Sequence, residues 1–255
     1  MNKLDKIIDN VVADISKTRG ILYLEDNDIS DEDMLKLLPY IQGNTDIDEI
    51  RLSGNKLSVI PVLDLPNLLC LSIQDNQITS LLNLDKLQNL SYLSINGNLI
   101  SKIDKLNKMP NLKKLDMSKN NISKIENLDC FPNLTDLVLK SNMISIIENL
   151  YNLPNLKKLD VSNNKITKIA INVDLPSLID FLISDNNLRV LDNLDKLPNL
   201  KKLWFSGNYI TSIGDNVSLP VLNNIGTMNL SEDDEIKLLA GCPLLKNHSL
   251  RIYDK

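Results

Sequence analysis

Histidine is almost missing from this 255-residue chain, with His248 the single copy. That excludes a multi-histidine metal site and most histidine-based acid–base catalysis. Eight glycines leave little material for loops that cradle phosphate. Aromatic residues make up only 4% of the chain and tryptophan occurs once, so aliphatic packing has to carry the 43% hydrophobic content. Arginine is equally scarce, at Arg19, Arg51, Arg189 and Arg251 among 28 basic residues. The three cysteines, Cys70, Cys130 and Cys242, are far apart and form no C-x-x-C pair, which indicates neither a disulfide framework nor a zinc site. They fit a reducing compartment.

No stretch approaches the roughly 18 apolar residues of a membrane span, and Met1 to Lys17 is charged throughout with no apolar signal-peptide core. The expectation is a soluble, cytoplasmic protein, compatible with signal-peptide-independent secretion into a host cell. A net charge of -5 and a pI near 5.0 argue against broad nucleic-acid or membrane-surface binding.

What the chain does have is a period. The phrase L-x-x-L-x-L-x-x-N-x-[IL] recurs, as in Leu156-Lys-Lys-Leu159-Asp-Val161-Ser-Asn-Asn164-Lys-Ile166. Its asparagine falls at 55, 76, 98, 120, 142, 164, 186 and 208, one step of 21 followed by six of 22. Proline closes the unit in one phase at 66, 110, 132, 154, 176, 198 and 220, and apolar residues three apart lie between, such as Ile122, Ile125, Leu128 and Phe131. Regularity of this kind marks a solenoid. The Leu-x-Leu alternation reads as a short strand with alternate side chains turned inward. One repeat alone has too little apolar surface to offset the ordering of its backbone. Stacked repeats bury both faces, pair their strands in parallel and let each asparagine amide bond neighbouring turns. Such an amide, once lost, leaves unpaired backbone groups at about 1 to 3 kcal/mol.

The pattern resembles the leucine-rich repeat superfamily, in its 22-residue class, like the regulatory subunit of type-1 protein phosphatase and the bacterial internalins. The resemblance runs from about Arg19 to Ile252 and implies an α/β solenoid: a leucine-rich repeat horseshoe with a concave parallel β-sheet and helical caps. The expected organisation is a capping helix over 1–18, repeats over 19–230, and a helix with an edge strand over 231–255. Leu4, Ile7, Ile8, Val11, Val12 and Ile15 form the stripe of the first helix. Ile29 to Leu38 and Leu230 to Leu239 align without a gap, and each carries Ser followed three residues later by Asp, a capping signature. The first lies in a 28-residue step between Asn27 and Asn55, similar to the longer, helix-containing repeat of ribonuclease-inhibitor-like proteins. Leu250 and Ile252 read as a last edge strand. Asn172 and Asn216 stand where Leu106, Leu128, Leu150 and Leu194 appear elsewhere, which predicts local bends on the convex side.

No catalytic motif is present. There is no H-E-x-x-H, G-x-G-x-x-G, P-loop or G-x-S-x-G, no cysteine has the Asp two residues on that ubiquitin-ligase effectors carry, and only Cys242 lies near His248. The expectation is a protein that is not an enzyme and needs no cofactor or metal. What remains is surface. Residues two, four and six before each asparagine should point out of the concave sheet, and those three and five before it inward. Four before the asparagine the series is Tyr23, Arg51, Ser72, Ser94, Asp116, Val138, Asp160, Leu182, Trp204. Parallel strands lie about 4.8 Å apart, so Trp204 should stand beside Leu182, an exposed aromatic-aliphatic pair of the kind that anchors interfaces. Six before it the series is Cys70, Tyr92, Lys114, Asp136, Lys158, Asp180, Lys202, whose alternating charges are expected chiefly to pair with one another.

The residues expected to bind a partner are therefore Trp204, Leu182 and Val138 at the centre, with Lys158, Asp160, Asp180 and Lys202 around them and Asp136, Asp116 and Tyr92 beyond. The expected partner is another protein, held in the concave face and regulated or inhibited, with no disulfide link and no membrane. Two settings follow from the resemblance: a bacterial effector, and a eukaryotic phosphatase-type regulatory or scaffold subunit. The C-terminal segment differs from the cap of the phosphatase subunit, which tilts the balance to the effector. Lys113, Lys157 and Lys201 beside Lys114, Lys158 and Lys202 form a basic strip that interleaved aspartates weaken, so RNA binding is the lesser alternative.

Overall fold

The computed structural model describes residues 3–15, 20–215, 217–222, 224–225 and 232–244. In chain order it contains helix α1 (Lys3–Ile15), strand β1 (Ile21–Tyr23), helix α2 (Asp31–Ile41), then β2 (Glu49–Arg51), β3 (Cys70–Ser72), β4 (Tyr92–Ser94), β5 (Lys114–Asp116), β6 (Asp136–Val138), β7 (Ile146–Ile147), β8 (Lys158–Asp160), β9 (Lys168–Ile169), β10 (Asp180–Leu182), β11 (Val190–Leu191), β12 (Lys202–Trp204), β13 (Ser212–Ile213) and β14 (Asn224–Ile225), with helix α3 (Glu232–Gly241) last. Ten of these strands make one parallel sheet in sequence order, and β7 pairs with β9 and β11 with β13 on the opposite side.

Register in the large sheet follows the asparagine period. Ile21 pairs with Glu49 across the 28-residue step, Glu49 with Cys70 across 21, and each later strand with the one 22 residues on, as Leu115 with Leu137 and Phe181 with Leu203. The middle residue of each strand points inward, and Ile50, Leu71, Leu93, Leu115, Leu137, Leu159, Phe181 and Leu203 form one continuous buried row. A parallel sheet covered on its inner face by such a row has no room for a register slip, because a shift of one residue would turn the leucines to solvent.

The asparagines carry the stacking. Asn120 Nδ2 donates to Met117 O in its own turn and to Ile95 O in the preceding turn, both at 3.1 Å, while its Oδ1 accepts from Ile100 N at 2.9 Å. The same three-way bond occurs at Asn55, Asn98, Asn142, Asn186 and Asn208, always toward the preceding turn. Just before it the backbone turns left-handed, at Gly54, Asp75, Gly97, Lys119, Ser141, Asn163, Asp185 and Gly207. At Gly97 a Cβ would meet Asp75 Oδ1 at 2.1 Å, so that turn needs glycine for space as well as for φ. Two further asparagine rows, unmarked in the sequence reading, tie the outer side. Asn83, Asn127, Asn149 and Asn193, themselves left-handed, donate to Ile60, Ile103, Ile125 and Ile169 carbonyls. Asn89, Asn133 and Asn199 donate to the carbonyls of Pro66, Pro110 and Pro176 in the turn before.

Helix α1 packs on α2 and β1 at the N-terminal end, and one residue of its expected stripe stands outside the contact. Ile7 and Val11 are buried, and Leu4 and Ile8 pack on the core beside them, but Val12 is 53% exposed. Leu4, Ile8 and Val12 form an i, i+4 row that winds about 80° over its eight residues, carrying Val12 out of contact. In α2 the expected capping box is present. Ser30 Oγ accepts from Asp33 N and donates to Asp33 Oδ2, which also accepts from Ser30 N. These bonds hold the Asp33 carboxyl below its ordinary range. At the other end α3 packs near β13 with Leu238 buried, and the following Cys242 is buried as well. The expected Ser231 cap, the Leu250–Ile252 edge strand, His248, Asn216 and the side chain of Ile15 lie outside the described residues. Beside Asn172 the chain bends at Val173, and an open groove of about 350 Å³ lies there, lined by Glu148, Asn149, Lys168, Ala170, Asn172 and Asn193. Its neighbours in the row, Leu150 and Leu194, are buried, whereas the Asn172 amide turns outward.

Replacing Asn120 by Ala leaves Ile100 N without a partner and takes from Ile95 O and Met117 O one of their two amide donors, Asn98 and Asn142 supplying the others. The urea midpoint should show a loss of about 1 to 3 kcal/mol. Asn155→Ala, which removes only an exposed side-chain bond to Asn133, should stay within about 0.5 kcal/mol of the parent.

Candidate concave interface

Every second residue of the short strands leaves the sheet on the concave side, and the in-register ladder sets those residues in straight rows. All ten sequence-selected residues stand on this one face, distributed over β4, β5, β6, β8, β10 and β12. Leu182 and Trp204 are direct register partners, and Trp204 is 38% exposed with Leu182 half-buried beside it. Val138 lies two strands from Leu182, with Asp160 between them. Tyr92 stands beside Lys114 at the N-terminal end of the charged row, and Asp116 beside Val138.

Asp160 departs from the expectation of a presented charge. It is only 9% exposed, and its Oδ1 accepts from the backbone N–H of Ser162 at 3.0 Å. A carboxylate two residues before a backbone N–H closes a local turn, and that bond pulls it down onto the sheet. Asp116 does the same with Ser118, accepting from both its N–H and its hydroxyl.

The charged row is also corrected. Its register alternates as read, Lys114 opposite Asp136, Asp136 opposite Lys158, Lys158 opposite Asp180, and Asp180 opposite Lys202. Among the described residues only the last pair closes, with Lys202 Nζ 3.7 Å from Asp180 Oδ1. Neighbouring side chains on parallel strands project side by side, so a long lysine carries its ammonium well above a short aspartate, and the exposed head stays in water. Asp136 is held instead by the hydroxyl of Thr135 at 2.6 Å. Asp180 Oδ1 is buried without a hydrogen-bond partner. The row follows a double period: Pro-Asn-Leu-Lys-Lys-Leu begins at 110, 154 and 198, while the intervening turns read Pro-Asn-Leu-Thr-Asp-Leu from 132 and Pro-Ser-Leu-Ile-Asp-Phe from 176. That signal was present in the sequence and is visible once the repeats are compared in alternate pairs.

The N-terminal half of the face is different in kind. Arg51 lies over the Tyr23 ring, 5.2 Å from its centroid, and its Nε donates to Glu49 at 2.6 Å. Beyond it run bonds between the Ser53 and Ser72 hydroxyls, from Gln74 to Ser72, and from Asn96 to Ser94, with Ser94 fully buried. These groups satisfy one another, so this half is a closed polar lattice, whereas the C-terminal half carries apolar groups and free charges. Two residues beyond Asp160, Leu182 and Trp204 stand the small serines Ser162, Ser184 and Ser206, with the exposed Lys140 two beyond Val138.

Burial pushes the thiols of Cys70, Cys130 and Cys242 up to about 11, away from thiolate reactivity. Among the described residues no cluster of three metal-ligating side chains occurs, and no helix is long and apolar enough to cross a membrane.

Comparison with known proteins agrees with this geometry. A family model described as leucine-rich repeats, two copies, matches residues 88–130, 132–173 and 176–219. No curated protein matches the chain in sequence. Among solved structures, a chain from the octameric complex of Latrophilin 3, Unc5D and FLRT2 (LRR) has a TM-score of 0.70 at 25% identity, covering 86% of this chain and 72% of that one. YopM, a leucine-rich effector protein from Yersinia pestis, has a TM-score of 0.66 at 25% identity, covering 90% of this chain and 62% of its own. The functional domain of InlJ from Listeria monocytogenes shares the fold, with a TM-score of 0.50 at 22% identity over 81% of this chain and 53% of that one. The phased asparagines, the parallel sheet they hold together and the matched segments identify the same thing: the chain belongs to the leucine-rich repeat family.

Proposed function

We propose that this protein is a non-enzymatic binding module that engages and regulates another protein through the C-terminal half of its concave face. Leucine-rich repeat proteins serve in general as protein-interaction scaffolds, which sets the class. The observation that carries the site is the Leu182–Trp204 pair. The lone tryptophan stands exposed beside an aliphatic neighbour on a sheet whose outward side chains are otherwise mostly polar. Clustered aromatic and aliphatic groups on a rigid support dominate affinity because they lose water and little conformational freedom on binding. The likeness to YopM, itself described as an effector protein, supports the further reading of a bacterial effector acting in a reducing compartment, where the three free thiols, two of them buried, stay reduced.

Photo-crosslinkers placed at Leu182 and at exposed Lys102 on the outer side should give different results, with adducts to a discrete protein only from position 182. Trp204→Ala should weaken capture of that protein by about 2 kcal/mol or more, roughly thirtyfold. Equal labelling from both positions, or unchanged capture, would overturn the assignment. Asp180→Lys is the informative charge change. Asp160→Lys would break the bond to Ser162 and test folding instead. Alkylation of the three thiols at pH 8 should be about a hundredfold slower in the folded chain than in denaturant; rapid reaction in the folded state would reopen cysteine chemistry.

A further inference from the structure

The geometry points to an amphipathic α-helix of a partner protein as the occupant of this face, lying across β5, β6, β8, β10 and β12 and carrying acidic and basic residues in alternation every three to four positions. This rests on the binding role proposed above and adds the shape and charge pattern of what is bound.

The fit follows from two spacings. Strands in the ladder succeed one another every 4.8 Å or so, while a helix rises about 1.5 Å per residue, so one strand corresponds to about 3.2 helical residues. Residues i, i+3, i+7, i+10 and i+14 of a helix advance by roughly 0, 4.5, 10.5, 15 and 21 Å and stay within a sector of about 80°. The five charges Lys114, Asp136, Lys158, Asp180 and Lys202 advance by roughly 0, 4.8, 9.6, 14.4 and 19.2 Å. The mismatch stays below about 2 Å, within the reach of a lysine stem. Acidic residues at i, i+7 and i+14 then meet the three lysines, and basic residues at i+3 and i+10 meet the two aspartates. Two of those charges are unspent: among the described residues Lys114 and Lys158 form no ion pair. Lys202 stands 3.7 Å from Asp180, whose Oδ1 accepts no hydrogen bond, and Asp136 accepts one bond from Thr135.

The remaining rows suit the same occupant. Val138, Leu182 and Trp204 run parallel to the charges about 6.6 Å along the strands, so a helix about 10 Å across covers both rows and lays its apolar stripe on the second. The small Ser162, Ser184 and Ser206 leave space on the far side over β8, β10 and β12, and the exposed Lys140 flanks the helix over β6. An RNA strand fits less well, because Asp136 and Asp180 would face its phosphates.

Two stapled helical peptides of about 18 residues serve as probes. The matched one has Glu at i, i+7 and i+14, Lys at i+3 and i+10, and leucines on the adjoining stripe. In the exchanged one Glu and Lys change places. Neither contains an aromatic residue, so emission from the lone Trp204 of the full chain reports binding. The matched peptide should bind saturably and shift that emission, the exchanged one should bind about tenfold more weakly, and added salt should narrow the gap. A chain carrying both Lys158→Glu and Asp180→Lys, with unchanged circular dichroism, should lose the preference. Equal affinity for the two peptides, or no response to either, overturns the inference. If the Leu182 crosslinks and their dependence on Trp204 persist in that case, the face binds protein by another shape; if they vanish too, the binding role falls with it.

Discussion

Each turn of this chain is fastened to the one before it by an asparagine amide that satisfies three backbone groups at once. Those groups sit where a strand has ended, and each carbonyl is shared by the amides of two successive turns, so the asparagines replace water where stacking has excluded it. Because the bond always runs to the preceding turn, it fixes both the distance and the register between neighbours. The buried leucine row, the parallel sheet and the outer proline and asparagine contacts all presuppose that register. The low aromatic content is therefore no handicap: a solenoid needs identical medium-sized side chains in every turn more than it needs large ones.

Fixed register converts sequence spacing into spatial adjacency, and the function proposed here depends on that conversion. A residue is placed beside another by being 22 positions away, so a surface can be composed row by row without disturbing the interior. The N-terminal rows use this freedom to close a lattice of serine, glutamine and asparagine on itself. The C-terminal rows use it to present an indole, an isobutyl group and the ammoniums of Lys114 and Lys158, unpaired among the described residues. A rigid support then loses little freedom when those groups are covered.

This is also why so much was legible beforehand. The pairing of Leu182 with Trp204 follows from arithmetic on the asparagines, as does the order of the charged row. The fate of Asp160 did not, because a side chain bending back to the N–H of Ser162 is a local choice that periodicity does not encode. The open Lys158 was missed for a related reason: register tells which residues are neighbours but not how high above the sheet their charged ends stand. The outer asparagines at 83, 127, 149 and 193 were available to inspection. Their left-handed backbone gives the chemical reason for them, since asparagine tolerates that conformation better than most residues. Val12 was assigned to a stripe that a straight helix cannot keep facing one neighbour for three turns.

The alternation of Lys-Lys turns with Asp-bearing turns means that this molecule has two units of length, one for its spine and another for its skin. Excising a single Asp-bearing coil would leave the pattern of amide fastening intact while bringing two lysine-bearing strands side by side, a change that costs stability only one coil's share but is abrupt for recognition. Excising or duplicating coils two at a time would preserve the pattern and merely shorten or lengthen it. Genetic drift in repeat number is thus filtered by parity, and a lineage of such chains should differ in size by even numbers of coils wherever this surface is in use.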